Sequence, residues 1–402
     1  MTATTADKTL LVAPKGKQAP KSPTLVRVAR EAGVGPFRQF GQILALNAKG
    51  ARLNPSEYYD FQLYDKSMSA EKKAEFIGVK RSADLSAKMS PDTLPIMGKF
   101  LSNKVVLTNT LRGSGLPTTK TQAVAHKTRS FGNIPALRTA EDVIRFFTEE
   151  AVYPVFGKPL WGSLSEGSAC FQRLSDDGKT LMLSNGKSIG LEEMAREISS
   201  DYGKQGFLLQ DAVDQHSAMT ELAGPALGSI RTVTVVGEEG RARVLYALWK
   251  IPSPKAMSDN FWQDGSMLAQ LDLDTGEVVS VRRGTSLDTT YLDKHPVSGK
   301  SFEGFKLPHF ELLKETAEQA HMLFPYIGCL GWDIGMSEDG PVLVECNTKP
   351  FHTLYQLATG EGVMNPRFAK VFQQVMDHQN ARVKQGKADA KAAKKAARKQ
   401  RA

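Results

Sequence analysis

The stretch "LGWDIGMSEDGPVLVECNTKP", residues 330–350, places an acid, Asp333, before a turn and an acid and an amide, Glu345 and Asn347, after it. Glu345 and Asn347 stand two apart on a β run, so their side chains share a face. A two-residue Asp339-Gly340 turn would pair Asp333 with Cys346, which points to the other face. A three-residue loop, Glu338-Asp339-Gly340, with Gly340 left-handed in a type I turn plus bulge, pairs Asp333 with Glu345 instead. In that register two carboxylates and an amide oxygen converge, a hard-oxygen set suited to Mg²⁺ or Mn²⁺ when nucleotide phosphates complete the octahedron. Asp, Glu and Asn beside a turn are otherwise ordinary solvated hairpin residues. The apolar run "VLVECN" favours a ligand role, because a Glu in such a setting needs a partner.

A second feature is "VFGKPLWGSLSEGSACF". A β run delivers Lys158, and a loop with Gly162, Ser163, Ser165, Gly167 and Ser168 leads into another β run. Small residues let backbone N–H groups approach phosphate oxygens, and the lysine supplies charge. This is not the G-x-x-x-x-G-K-[ST] loop, because the lysine precedes the loop and no helix follows directly. A plain hairpin explains the same residues equally well.

The elements that must position these groups alternate in type along the chain. "NPSEYYDFQLYD" reads as a helix with Asn54 as N-cap, Pro55 at the first helical position and Glu57 closing a capping box. "SPDTLPIMGKF", from Ser90 and Pro91, and "TAEDVIRFFTEEA", from Thr139, read as further helix starts. From residue 152 the pattern turns to short β-rich runs: "VYPVFGKP", "GFLLQDAV", "SIRTVTVV", "RVLYALWK", "MLAQLDL" and "GEVVSV". "PHFELLKETAEQAHMLF" returns to helix before the hairpin. This mixture predicts an α+β protein with antiparallel sheets.

Length and charge set the frame. The chain has 402 residues and a net charge of +9, which suggests two to three domains. Residues 1–30 carry +5 and residues 384–402 carry +7, so the 353 residues between are net −3. The basic character belongs to the tails, and a nucleic-acid inference would apply to them alone. Residues 1–24 read as a disordered basic tail. In the terminal segment Lys384, Lys387, Lys391, Lys394, Arg398 and Arg401 recur three and four apart, one basic stripe on a helix. That stripe is either a solvated, partly helical tail or an arm that weakly binds an anionic partner. Three cysteines without C-x-x-C spacing indicate neither disulfide framework nor zinc knuckle, and fit a reducing cytoplasm. No apolar stretch approaches a membrane span, and the N-terminus lacks a signal-peptide core.

Lys158 before its Gly/Ser loop, "GFLLQDAV", Arg231 in "GSIRTVTVV", Asp333 and the E-x-N of Glu345 and Asn347 stand in the order of the ATP-grasp superfamily. The wording of "GSIRTVTV", "GWDIGMSEDGPVLVECN" and "LYQLATG" most resembles the sugar-transfer-associated ATP-grasp family, over about residues 90–375. The resemblance implies an ATP-grasp fold, two α+β lobes with antiparallel sheets clasping ATP. It divides the chain into a helical N-terminal region (25–103), a small lobe with its lid (104–210), a large lobe with the metal site (211–380) and a basic tail (381–402). It implies Lys104 and Lys158 as phosphate-binding lysines, and Gly162 to Gly167, with Ser163 and Ser165, as a loop closing on the triphosphate. Gln210, Asp211, Ala212 and Val213 would form the adenine-reading hinge, Arg231 would face the γ-phosphate or acyl phosphate, and Asp333, Glu345 and Asn347 would hold Mg²⁺. The ribose contact stays open among Asp214, Gln215 and His216. For His216 and His352 the expectation is a structural, hydrogen-bonded role. The implied activity is an ATP- and Mg²⁺-dependent carboxylate–amine ligase working through an acyl phosphate on small-molecule substrates, in a setting the family name links to sugars. The alternatives are a phosphotransferase on the same scaffold and a non-catalytic nucleotide-binding protein.

Overall fold

The computed structural model describes residues 23–161, 167–254, 256–259 and 261–401. Most of the predicted basic N-terminal tail, and Gly162, Ser163 and Ser165 of the predicted loop, lie outside the described residues.

Seven helices between Thr24 and Gly113 precede two seven-stranded sheets. The smaller sheet holds β1 (Thr121–Ala125), β2 (Ala136–Leu137), β3 (Val155–Pro159), β4 (Ala169–Leu174), β5 (Thr180–Leu183), β6 (Ser188–Gly190) and β7 (Phe207–Asp211), in the order β2-β1-β7-β3-β4-β5-β6. The larger holds β8 (Ile230–Val236), β9 (Ala242–Ile251), β10 (Met267–Leu271), β11 (Val278–Arg283), β12 (Thr290–Tyr291), β13 (Cys329–Ser337) and β14 (Gly340–Asn347), in the order β12-β11-β10-β9-β8-β13-β14. Only β1 and β2 pair in parallel; the other described pairs are antiparallel, which is the α+β arrangement the sequence predicts.

"IRTVTVV" is buried at all seven positions because the large sheet is covered on both faces. On one face Ile230, Trp249 and Trp332 pack with Leu313 and Ala317 of the helix Phe310–Met322. On the other, Val233, Leu248 and Leu268 meet the N-terminal helices through Tyr58, Leu85 and Met89, and the helix Pro366–Arg401 through Phe372 and Val375. Each such apolar side chain contributes about 1.5–3 kcal/mol by leaving water. The helix Lys104–Gly113 joins the lobes. Its Leu107 and Leu111 enter the large-sheet core, while Val105 packs with Val124, Leu160 and Leu208 of the small lobe.

Asn54 and Glu57 form the predicted capping box, but the helix ends at Asp60, just before Gln62 takes a left-handed φ of 55°. The expected helix start at Ser90-Pro91 is displaced to Leu94. Ser90 instead spends its hydroxyl on the Gly328 N–H at 2.9 Å, which ties this segment to the large sheet.

The opening hairpin has neither of the turns weighed from its sequence. Ser337 pairs with Gly340, so the loop is the two residues Glu338 and Asp339. The register then shifts at Val344, and that bulge sets Asp333 opposite Glu345. The predicted pairing is therefore correct, and the predicted means of reaching it is not. The bulge also lets consecutive residues, Val344 and Glu345, both line the cleft.

Candidate active site

A cleft of about 570 Å³ lies between the sheets. Lys104, Lys158, Gln210, Asp211, Ala212, Val213, Arg231, Asp333, Glu345 and Asn347 all line it, although they come from six segments of the chain. Ser168 lines it too. Gly167 is not among the lining residues; it takes a left-handed φ of 72°, and a Cβ there would fall 2.3 Å from the Tyr202 hydroxyl.

The strands explain the convergence. Arg231 on β8, Lys250 on β9 and Asp333 on β13 share the sheet face that further along carries Val233 and Leu248, because side chains alternate. Arg231 chelates Asp333, with Nε to Oδ1 at 2.7 Å and Nη2 to Oδ2 at 3.1 Å, and its Nη1 donates to the Pro350 carbonyl at 3.0 Å. Arg231 is thus a buried, paired arginine rather than a solvent-facing strand residue. Lys250 Nζ lies 3.3 Å from Asp333 Oδ2 and 3.0 Å from Asp259 Oδ2. Asn347 Nδ2 donates weakly to Asp333 at 3.4 Å.

Burial alone would raise the Asp333 carboxyl, but Arg231 and Lys250 outweigh it and hold the group far below the usual carboxylate range. Burial likewise disfavours the charges of Arg231 and Lys250, yet Asp333, with Asp259 for the lysine, raises both.

Lys158 differs. Its residue is 7% exposed, and among the described residues its ammonium has no hydrogen bond or ion pair, only the Phe156 ring with its centroid 5.8 Å away. Burial pushes it down to about 8, against the attraction of Glu345 and with the repulsion of Lys104. Glu345 is likewise without a hydrogen-bonded partner among the described residues. Gln210, at the end of β7, keeps a buried Oε1 with no partner among the described residues.

The donor set fits a hard divalent cation by chemistry: two carboxylates and an amide oxygen on one face of the bulged hairpin. Asp333 already meets cations at both oxygens, which leaves Glu345 as the open carboxylate. Among the described residues no three His, Cys, Asp or Glu side chains gather as a metal cluster.

Of the three ribose candidates, Gln215 is committed to Gly224 and Gly228, and His216 to Ala218 and Glu338, while Asp214 lines the cleft. His352 is buried against the Tyr246 hydroxyl at 3.0 Å, and burial pushes it down to about 3, which keeps it neutral. Lys250 and Asp259 were not singled out from the sequence. The signal was available in "LYALWKIP", an ionisable residue closing an apolar strand, just as Glu345 does in "VLVECN".

Residues 81–373 match the family described as "Sugar-transfer associated ATP-grasp". No curated protein matches the chain. Among solved structures it is similar to an L-amino acid ligase from Bacillus licheniformis (13% identity, 69% of this chain and 48% of that one, TM-score 0.37). It is also similar to the D-alanine-D-alanine ligase from Coxiella burnetii (10%, 73% and 62%, 0.40) and to a biotin carboxylase from Campylobacter jejuni solved as a beta-gamma-ATP complex (12%, 72% and 52%, 0.38). The chain spans about half to three-fifths of the length of these proteins. With the family match extending over well more than half of its residues, the chain belongs to the sugar-transfer-associated ATP-grasp family.

Proposed function

We propose that this chain is an ATP- and Mg²⁺-dependent ligase that activates a carboxylate as an acyl phosphate for attack by an amine or similar nucleophile. The observation that carries the reading is Lys158, a buried ammonium without a partner among the described residues, in a cleft shared with the open carboxylate of Glu345. Such a pair is costly unless an anion and a cation arrive together. A metal-bound triphosphate meets both demands.

In this reading Lys104 and Lys158 take phosphate oxygens, and the backbone from Gln210 to Val213 reads the adenine edge. Asp214 is the proposed ribose contact. Glu345 and Asn347, with Asp333 beside them, hold the metal, which when bound neutralises phosphate charge. Arg231, fixed at the cleft wall by Asp333 and Pro350, is the proposed partner of the reacting group, and being already held it needs no reorientation as charge develops. Small-molecule substrates in a sugar-linked setting are part of the proposal. So is a cytoplasmic location, on the three free cysteines. Among the described residues no helix is long and apolar enough to cross a membrane.

The test is phosphate release from ATP against pools of carboxylates and amines. A ligase requires one of each, whereas a phosphotransferase yields a stable phosphorylated product from one acceptor. Lys158→Ala should weaken ATP binding roughly 10- to 100-fold, the range of a hydrogen bond to a charged group. Glu345→Gln and Asn347→Ala should abolish turnover with the fold intact. Near-wild-type turnover in both would refute the metal assignment, and unchanged ATP affinity in Lys158→Ala would refute the role of the lysine.

A further inference from the structure

The segment linking β9 to β10 reaches three parts of the molecule. Met257 packs against the small-lobe core. Phe261 is buried with the N-terminal helices and the large sheet. Asp259, between them, binds the large sheet itself: its Oδ2 accepts from Ser229 N at 3.0 Å, from the Ser229 hydroxyl and from Lys250 Nζ. Met257, Asp259, Phe261 and Trp262 all line the cleft.

Two details make this more than a strut. All three bonds to Asp259 fall on Oδ2, so among the described residues Oδ1 is unengaged, on a side chain 16% exposed at the cleft wall. The Lys250 ammonium bridges Asp259 and Asp333 at 3.0 and 3.3 Å, which sets that open oxygen one lysine head group away from the Arg231–Asp333 pair. Beside it stand the Phe261 and Trp262 rings, 5.3 Å apart and edge to face, with Trp262 about half exposed. Val79, opening a helix of the N-terminal region and lying ahead of the family match, closes the same cleft.

We propose that Asp259 Oδ1 and the Phe261–Trp262 wall form the nucleophile subsite, and that the nucleophile is a primary amine on an aromatic or bulky apolar body, bound as its ammonium, which passes one proton to the Asp259 carboxylate before the neutral amine attacks. This rests on the ligase reading and narrows it. A carboxylate with one fixed and one open oxygen complements an ammonium far better than a hydroxyl, because only the ammonium adds charge to the bond. The aromatic pair offers flat apolar area at little cost in side-chain ordering. Lys250 holds the carboxylate still and adjacent to the site of phosphoryl transfer.

Calorimetry on the full chain loaded with Mg²⁺ and a non-hydrolysable ATP analogue tests it, with phenethylamine, butylamine and 2-phenylethanol as probes. Titration of the analogue comes first in every protein, and its failure in the wild type would sink the ligase reading itself. With analogue bound, phenethylamine should bind at least tenfold more tightly than 2-phenylethanol and than butylamine. Asp259→Asn should erase the preference for amine over alcohol while keeping that for the aryl group, and Trp262→Ala should do the reverse. Equal binding of amine and alcohol, no binding of any probe to the loaded wild type, or an amine preference that survives Asp259→Asn would overturn the proposal.

Discussion

Lys158 gives the most direct reading at the level of a single residue. Burial depresses it to about 8 from an unfolded value of 10.5, with Lys104 adding repulsion while Glu345, Asp333 and Asp259 attract. In the ligand-free protein the depressed value costs stability: nothing above 10.5, more as pH falls toward 8, and the full amount below it. In the proposed role an arriving triphosphate reverses the balance, since only the ammonium form can pair with it. ATP affinity should therefore fall about tenfold per pH unit above 8, and binding near pH 8.5 should take up a proton. Calorimetry in two buffers of different ionisation heat measures that uptake. Lys158→Arg, whose guanidinium keeps its charge throughout this range, should flatten the profile. A wild-type affinity that does not change between pH 7 and 9 would show that Lys158 does not meet the phosphates.

At the level of elements, the hairpin shows what sequence pattern conveys and what it does not. The facing of Asp333 and Glu345 was legible because an acid in an apolar run demands a partner. The turn was not legible, because counting outward from it assumes an unbroken register, and a Val at position 344 carries no mark of a bulge. The Glu338 side chain helps hold the turn where it is, by accepting from Ser217 N at 2.6 Å and meeting His216 at 3.3 Å. The short runs that predict strands do so reliably where both faces are buried, as in "IRTVTVV". The pairing of Lys250 with Asp259 was hidden for the opposite reason, since it depends on how an irregular loop folds back over a strand. One close approach adjoins the site on the same face of the sheet. A Cβ on Gly331 would fall 2.7 Å from Pro350 Cβ and 3.2 Å from its Cα, beside the carbonyl that holds Arg231. Gly331→Ala should destabilise by about 1–3 kcal/mol, as overpacking does, and lower turnover further than that loss explains. Urea unfolding paired with an ATPase assay checks it, and wild-type values in both would mean that β13 and the Pro350 segment move apart freely.

For the molecule as a whole, the long C-terminal helix Pro366–Arg401 serves two purposes along its length. Its first turns are structural: Phe368, Phe372 and Val375 lie in the core shared by the N-terminal helices and the large sheet, and Arg382 reaches Asp92 at 2.6 Å. From Lys384 to Arg398 every residue is exposed, so the last 18 helical residues extend as an arm of roughly 27 Å. The arm carries the +7 found in residues 384–402, and without it the net charge falls from +9 to +2. Since Lys384 to Arg398 are all exposed, removing residues 384–402 should change unfolding stability by no more than about 0.5 kcal/mol, the range of ordinary surface changes. Removing residues 366–402 should unfold the protein, because each buried apolar side chain lost costs about 1.5–3 kcal/mol. The shorter truncation should also weaken retention on an anionic resin and flatten its salt dependence, as expected when clustered charge is removed. Unchanged retention would place anion binding in the folded lobes, where Lys104 and Lys158 are the proposed phosphate contacts. A marked loss of stability would mean instead that the arm folds back onto the protein.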